Sequence, residues 1–404
     1  MKRFFLIFFF CGLIVAAFAQ TELEIEIRPR VLFDKGYKAP LSDGEKLAIS
    51  VSQRSSLALL HAAGRIAMCF DIRDVRVWGD DDRFNYSGMF GNTSGIAVYR
   101  AWVALKPTES LQIKVGRQTL NYDDQRILSN RGWNDYQITY DALLIGFSRN
   151  NHTLDLGTSY NNQKHRGDSY SPLKIKNLNL LHYAFTKPAH TFSLISVVSG
   201  NTKSDTTTAL AYTSTLGAGA IGNPGDWRYQ AYFYLQKKHD PLWDGLAWCL
   251  SLNGGFHFTE GKIGARIGAD ILSGATNSAS TFDLLYGKRH GFYGYMDYFN
   301  RIPEQGLEDY YLSLEYQLAK PLRVMLDLHY FELQHFQPAS STASPGSEAD
   351  LTLKWYFSEA TTIQGGYSVF LPTSTMQVVY PAATAQKMQH FIYLMITAKP
   401  RIKL

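Results

Sequence analysis

The sequence predicts an all-β protein: a leader over residues 1–19, then a transmembrane antiparallel β-barrel of about 18 strands over residues 20–404. Three observations predict it. The chain opens on a secretory signal and contains no later helical span, apolar and polar residues alternate in many short segments, and the connections between those segments alternate between short and long.

The leader comes first. Lys2 and Arg3 precede an apolar core over residues 4–18, and Ala17-Phe18-Ala19 supplies the small residues that precede cleavage before Gln20. Cys11 follows Phe8-Phe9-Phe10 without the small residue that lipoprotein processing requires, so a lipid anchor is not expected. After Ala19 no run of about 18 apolar residues occurs that could cross a bilayer as a helix. Aromatics make up 14% of the chain, with 25 Tyr and 24 Phe beside 32 Gly, whereas charged residues are only 19% against about 25% in ordinary globular domains. Such a composition suits a barrel with aromatic girdles and tight turns.

The strands follow from period-two alternation. Leu23, Ile25 and Ile27 alternate with Glu22, Glu24, Glu26 and Arg28, and Ile66, Met68, Phe70 and Ile72 with Arg65, Ala67, Cys69, Asp71 and Arg73. Later segments repeat the pattern: Ile263, Ala265, Ile267, Ala269 and Ile271 oppose Gly264, Arg266, Gly268 and Asp270, and Leu322, Val324, Leu326 and Leu328 oppose Arg323, Asp327 and His329. Short connections fall at 61–64, 106–110, 149–151, 187–189, 260–261, 319–321 and 358–360. Long ones fall between them, at 35–45, 79–95, 121–135, 161–176, 273–304, 333–347 and 371–386. Short periplasmic turns on one rim and long outer loops on the other are what a membrane barrel needs. A soluble β-sandwich or propeller also has short strands, but its outward faces would be polar.

Several motifs carry little chemistry. Cys69 and Cys249 fall on the third and twelfth strands, about halfway round the barrel, too far apart to bond. The net charge of +5, or +3 without Lys2 and Arg3, is too small to argue for nucleic acid. Gly217 to Gly222 has the letters of a dinucleotide loop, yet it enters Asn223-Pro224-Gly225 rather than a helix and reads as a flexible turn. His239-Asp240, Asp80-Asp81-Asp82 and Asp123-Asp124 fall in outer loops, where they could bind divalent cations or face lipopolysaccharide, although solvated loop charge is the simpler reading. No nucleophile, base and orienting group stand at a catalytic spacing, so neither a chemical step nor a cofactor is expected.

The lumen is more informative, because a barrel of this size holds an aqueous channel whose inward side chains determine what passes. With the polar phase inward, the first five strands contribute Arg28, Arg30, Arg54, Arg65, Arg73, Arg100 and Lys114 against Glu22, Glu24, Glu26 and Asp71. The later strands mix Arg228, Arg266, Arg323 and Lys354 with Asp270, Asp309, Glu315, Asp327 and Asp350. Guanidinium groups in a low-dielectric constriction attract carboxylates and slow cations, which makes Arg54, Arg65, Arg73, Arg100, Lys114 and Arg266 the candidate solute-facing residues. On the later wall, pairing that stiffens the barrel explains the charges equally well.

Gly116-Arg117-Gln118, then Tyr122-Asp123-Asp124-Gln125-Arg126-Ile127-Leu128, Trp133 and Tyr140-Asp141-Ala142-Leu143 form a pattern that resembles the alginate-export family of outer-membrane porins. Gln53-Arg54 is similar to that family's second-strand Gln-Arg. The sequence departs from the pattern at Ser129-Asn130, where a glycine is expected, and at its basic end, Lys399 to Leu404, where an aromatic is usual. The resemblance implies a monomeric barrel of about 18 strands in outer-membrane lipid and lipopolysaccharide, with a basic lumen that passes anionic polymers or small acids. It does not fix the solute, and a general porin, a barrel hydrolase and an adhesin with a long 273–304 loop stay as alternatives. Arg117 and Asp141 share the parity of Val115 and Leu143 near the outer ends of neighbouring strands, and are expected to pair.

Overall fold

The computed structural model describes residues 20–404 except 43, 80–95, 162–174, 204–208, 240–244, 259–260, 277–279, 336–341 and 384–386. The leader, the acidic run 80–82 and Asp240 therefore lie outside the described residues. The strands are β1 (Gln20–Lys35), β2 (Ala48–Ala63), β3 (Ile66–Val77), β4 (Ala97–Thr108), β5 (Leu111–Gln118), β6 (Tyr140–Arg149), β7 (His152–Tyr160), β8 (Ile175–Lys187), β9 (His190–Thr202), β10 (Leu210–Gly222), β11 (Trp227–His239), β12 (Leu246–Phe258), β13 (Ile263–Leu272), β14 (Leu307–Ala319), β15 (Leu322–Glu332), β16 (Gly346–Ser358), β17 (Thr361–Pro372), β18 (Gln389–Ala398) and β19 (Arg401–Lys403).

Each strand from β1 to β17 pairs antiparallel with the next, and both β18 and β19 pair with β1, so the sheet closes on itself. β18 and β19 are one strand interrupted at Lys399-Pro400, since Pro400 has no N–H for the ladder. Its carbonyl still accepts the Ile25 N–H at 3.1 Å. The barrel thus has 18 strands. The basic end of the chain finishes the closure: Lys399 and Arg401 reach Glu24 at 3.0 and 2.9 Å.

The sheet is inside out relative to a soluble protein. Asp71 is 1% exposed and its neighbour Phe70 is 53% exposed, and the same contrast runs along the other strands. Apolar side chains face lipid, polar ones face the lumen, and closure leaves no unpaired edge in the hydrocarbon. Cys69 on β3 and Cys249 on β12 are both buried free thiols.

The glycine-rich run departs from expectation. Gly217 to Gly222 is no flexible turn but the second half of β10, paired with β9 and β11. The rings of Tyr234 and Tyr232 lie across Gly217 and Gly219, where an added Cβ would meet ring carbons at 2.4 and 2.3 Å. Glycine serves here to seat two lumen-facing aromatic rings.

Candidate functional site

Among the described residues on the long-loop rim, 36–42, 119–139 and, apart from 277–279, 273–306 turn into the barrel. The second and third meet edge to edge. Tyr286 N–H donates to Ile127 O at 3.1 Å, Ser129 N–H to Tyr286 O at 3.2 Å, and Lys288 N–H to Gln125 O at 2.8 Å. The first docks on the third, with Lys38 N–H donating to Met296 O at 2.8 Å and the Tyr298 hydroxyl to Gly36 O at 2.5 Å. Leu128, Tyr293, Met296 and Phe299 pack with the wall residues Phe331, Phe370, Phe391 and Tyr393 into an apolar core inside the barrel. The loop that would have carried an adhesin reading, 273–304, is thus largely lumen filling.

Arg126 is the hub of this core. At 2% exposure it donates to Asp270 at 2.9 Å, Asp124 at 3.1 Å, Ser251 Oγ at 2.9 Å and the Tyr293 hydroxyl at 2.5 Å, and it lies 4.1 Å from the Phe292 ring centre. Burial opposes its charge, but Asp270, the Tyr293 oxygen and Asp124 outweigh that penalty and hold it firmly protonated. Asp124 is therefore not a solvated loop charge, and neither is Asp123, which stands 3.0 Å from His182.

The first wall holds the 119–139 segment by its acceptors. Arg28 donates to Gly132 O at 2.7 Å and Arg30 to Trp133 O at 2.8 Å, and both bond Asp135, Arg30 at 2.7 Å. Arg54 pairs with Glu26 and reaches Asn134 O at 3.4 Å, and Arg73 donates to Gln137 Oε1 at 2.6 Å while stacking on Tyr99. The wall of β13–β16 holds the 273–306 segment by its donors: Met296 N–H bonds Glu348 at 2.7 Å and Tyr295 N–H bonds Asp350 at 3.3 Å.

The predicted solute-facing residues thus separate. Arg54 is neutralised by Glu26, and Arg100 by Asp71 at 2.8 Å. Arg65 is not on the wall; it is exposed in the turn between β2 and β3, donating to Pro107 O at 2.9 Å. Arg73, Lys114 and Arg266 face the lumen with no ion-pair partner among the described residues, Lys114 over the Trp102 ring at 4.1 Å and Arg266 donating to Ser313 Oγ at 3.0 Å.

The family-pattern residues are mainly structural. Gly116 has φ +118, and a Cβ there would lie 2.2 Å from Ala101 O, so β4 and β5 close up only over glycine. Gln118 is fully buried and donates to Ala142 O at 2.9 Å, and Gln125 accepts from Ser129 Oγ at 3.1 Å. Trp133 donates to the Tyr37 hydroxyl at 2.9 Å and stacks on His290 at 3.8 Å. Arg117 and Asp141 are cross-strand partners joined by two bonds of 2.9 and 2.8 Å, and the pair faces outward.

Sequence reasoning missed a cavity of about 440 Å³ between the infolded segments and the first wall. Lys38, Arg131, Lys288 and Arg289 line it, and none has an ion-pair partner among the described residues. Arg131 is held instead by Gly287 O and Leu285 O, each at 3.0 Å. Burial, and then the neighbouring Arg289, pushes its pKa down to about 10. The cavity's acids are already engaged: Asp135 by two arginines, Asp297 by His290 at 3.0 Å and the Tyr37 hydroxyl at 2.6 Å. The run Lys288-Arg289-His290 was visible in the sequence as a signal, but it sat in a segment assigned to the exterior.

A family model described as alginate export matches residues 20–386. None of the curated proteins matches this chain. Among solved structures it is similar to OccAB4 of Acinetobacter baumannii, with a TM-score of 0.65 and 11% identity over 95% of this chain and 98% of that one. OccK11 (OpdR) of Pseudomonas aeruginosa gives 0.63 and 11% over 95% and 96%. The outer membrane protein opdK of Pseudomonas aeruginosa gives 0.61 and 10% over 95% and 99%. At such identities the likeness speaks for the fold alone.

Proposed function

We propose that this chain, which belongs to the alginate-export family and forms an outer-membrane channel of the bacterial cell, passes anionic solutes, acidic oligosaccharides among them, down their gradient. The supporting observation is the cluster of Lys38, Arg131, Lys288 and Arg289 around a cavity whose carboxylates are already bound. Unneutralised cations confined together repel one another, and an entering carboxylate relieves that repulsion. Arg73, Lys114 and Arg266 continue the cationic lining. Family and fold point to a channel rather than an enzyme. Residues 1–19 act in this reading as the export leader, in keeping with a family match that starts at residue 20, and the barrel works as a monomer in lipid and lipopolysaccharide.

In a planar bilayer at 0.1 M salt the protein is expected to prefer anions. Replacing Arg131, Lys288 and Arg289 by Gln lowers that preference several-fold, and the difference shrinks at 1 M as the Debye length falls from about 10 to about 3 Å. A uronic-acid oligomer added to one side blocks current, whereas a neutral oligomer of equal length does not. Cation preference at 0.1 M would overturn the reading. The pairs Arg54–Glu26 and Arg100–Asp71 favour a second reading, a general porin with a charge-balanced wall. Under it the triple variant keeps the wild-type ion preference and both oligomers block alike.

A further inference from the structure

The lipid-facing belt is not equally tall around the barrel. On β14, counting from the short-turn rim, Leu318, Tyr316, Leu314, Leu312 and Tyr310 face outward before the first charge, Glu308, and on β15 Leu322, Val324, Leu326, Leu328 and Tyr330 precede Glu332. On β5 only Leu111, Ile113 and Val115 precede Arg117, and on β6 only Phe147, Ile145 and Leu143 precede Asp141. β7 is shorter still, with Leu154 and Leu156 before Thr158, whose hydroxyl bonds Asn179 on β8 at 3.0 Å. At ~3.4 Å per residue and a tilt of ~40°, the apolar band is about 26 Å tall on β14 but about 16 Å on β5, against a usual band of about 25 Å.

Around β5–β8 a bilayer of constant thickness would therefore submerge an ion pair in its hydrocarbon. Arg117 and Asp141 are 41% and 52% exposed on that face, and Tyr160, 60% exposed, stands beside Asp141 on the next strand. A charge is costly at mid-bilayer and cheap near the interface, so lipid that thins or lowers its headgroups here is favoured. A protein interface would put an apolar centre on this face, whereas the face offers a guanidinium, a carboxylate, a phenol and an amide. A guanidinium suits phosphate, and Arg117, whose Nε and Nη2 donate to Asp141 and whose Nη1 donates to Val98 O at 3.2 Å, keeps a second hydrogen on each terminal nitrogen for it.

We infer that the outer-leaflet headgroup layer descends onto β5–β8 and that a phosphate of the outer-leaflet glycolipid binds Arg117 there. This rests on the barrel and its orientation, not on ion selectivity, so it survives a failure of the anion reading. The test places nitroxide labels at Leu143→Cys and Leu314→Cys, each the third outward apolar position from the short-turn rim of its strand. In vesicles containing lipopolysaccharide, the label at 143 is expected to meet a water-soluble nickel relaxant several-fold more often than that at 314, and equal accessibility overturns the proposal. In phospholipid-only vesicles the contrast is expected to weaken at least twofold; an undiminished contrast overturns the glycolipid assignment. Arg117→Gln with Asp141→Asn should at least halve co-purified lipopolysaccharide phosphate while leaving a heat-modifiable, conducting barrel. Phosphate at the wild-type level, or a disulfide joining two barrels of the unlabelled Leu143→Cys variant, overturns it as well.

Discussion

On the inner face of β1–β4 Arg28, Arg30, Arg54, Arg73 and Arg100 stand among Glu22, Glu24, Glu26 and Asp71, whereas on that of β13–β16 Asp270, Asp309, Asp327, Glu348 and Asp350 stand among Arg266, Arg323 and Lys354. Both walls are buried by loop segments that turn into the lumen, but they grip them through opposite chemistry. The basic wall takes the carbonyls of 132–134 and the carboxylate of Asp135, and the acidic wall takes the N–H groups of Tyr295 and Met296. A backbone presents donors and acceptors alike, so a wall of either sign can hold one. The difference teaches that much of the lumen's charge is occupied with holding the loops, and that part of the charge left for solute is found on the loops themselves.

Arg126 joins the two systems, since it sits in the first loop and bonds the second wall. Arg126→Met should have the largest effect, because it strands Asp270 and Asp124 as buried charges at about 3–5 kcal/mol. Hydrogen exchange should show both 119–139 and 273–306 losing protection together, with a rise in single-channel conductance. Unchanged protection in both segments would mean that Arg126 does not join them.

Separate variants sharpen the contrast. Arg28→Met with Arg30→Met should loosen only 119–139, and Glu348→Leu with Asp350→Leu only 273–306, each by about 1–3 kcal/mol for lost buried hydrogen bonds. If either double variant exposes both segments to exchange equally, the two walls do not act independently.

The smallest effect concerns acid. Burial raises the pKa of Asp135, but Arg30 and Arg28 more than offset this and hold it below the usual carboxylate range. A folded value lower than the unfolded one contributes stability that is full above about pH 4 and fades as pH falls through the lowered value. The protection factor of 119–139, that is, exchange corrected for its intrinsic pH dependence, should therefore fall on going from about pH 5 to pH 3 and stay flat from pH 5 to 8, and a fall over the upper range would contradict the role of Asp135.

The sequence by itself determined the barrel, a strand number of about 18 and the lipid-facing phase of most strands, since alternation is local and each side chain needs only to suit water or hydrocarbon. It also placed Arg117 opposite Asp141, because neighbouring strands share a register. Only the tertiary structure decided which lumen charges are free. Residues 119–139 and 273–306 carry no period, and their infolding depends on contacts as distant as Arg28 with Asp135, 107 residues on, and Arg126 with Asp270, 144 residues on. Those partners stand together only after the sheet has closed, so Arg54 could look solute-facing and Asp124 solvated until the loops were seen inside the barrel.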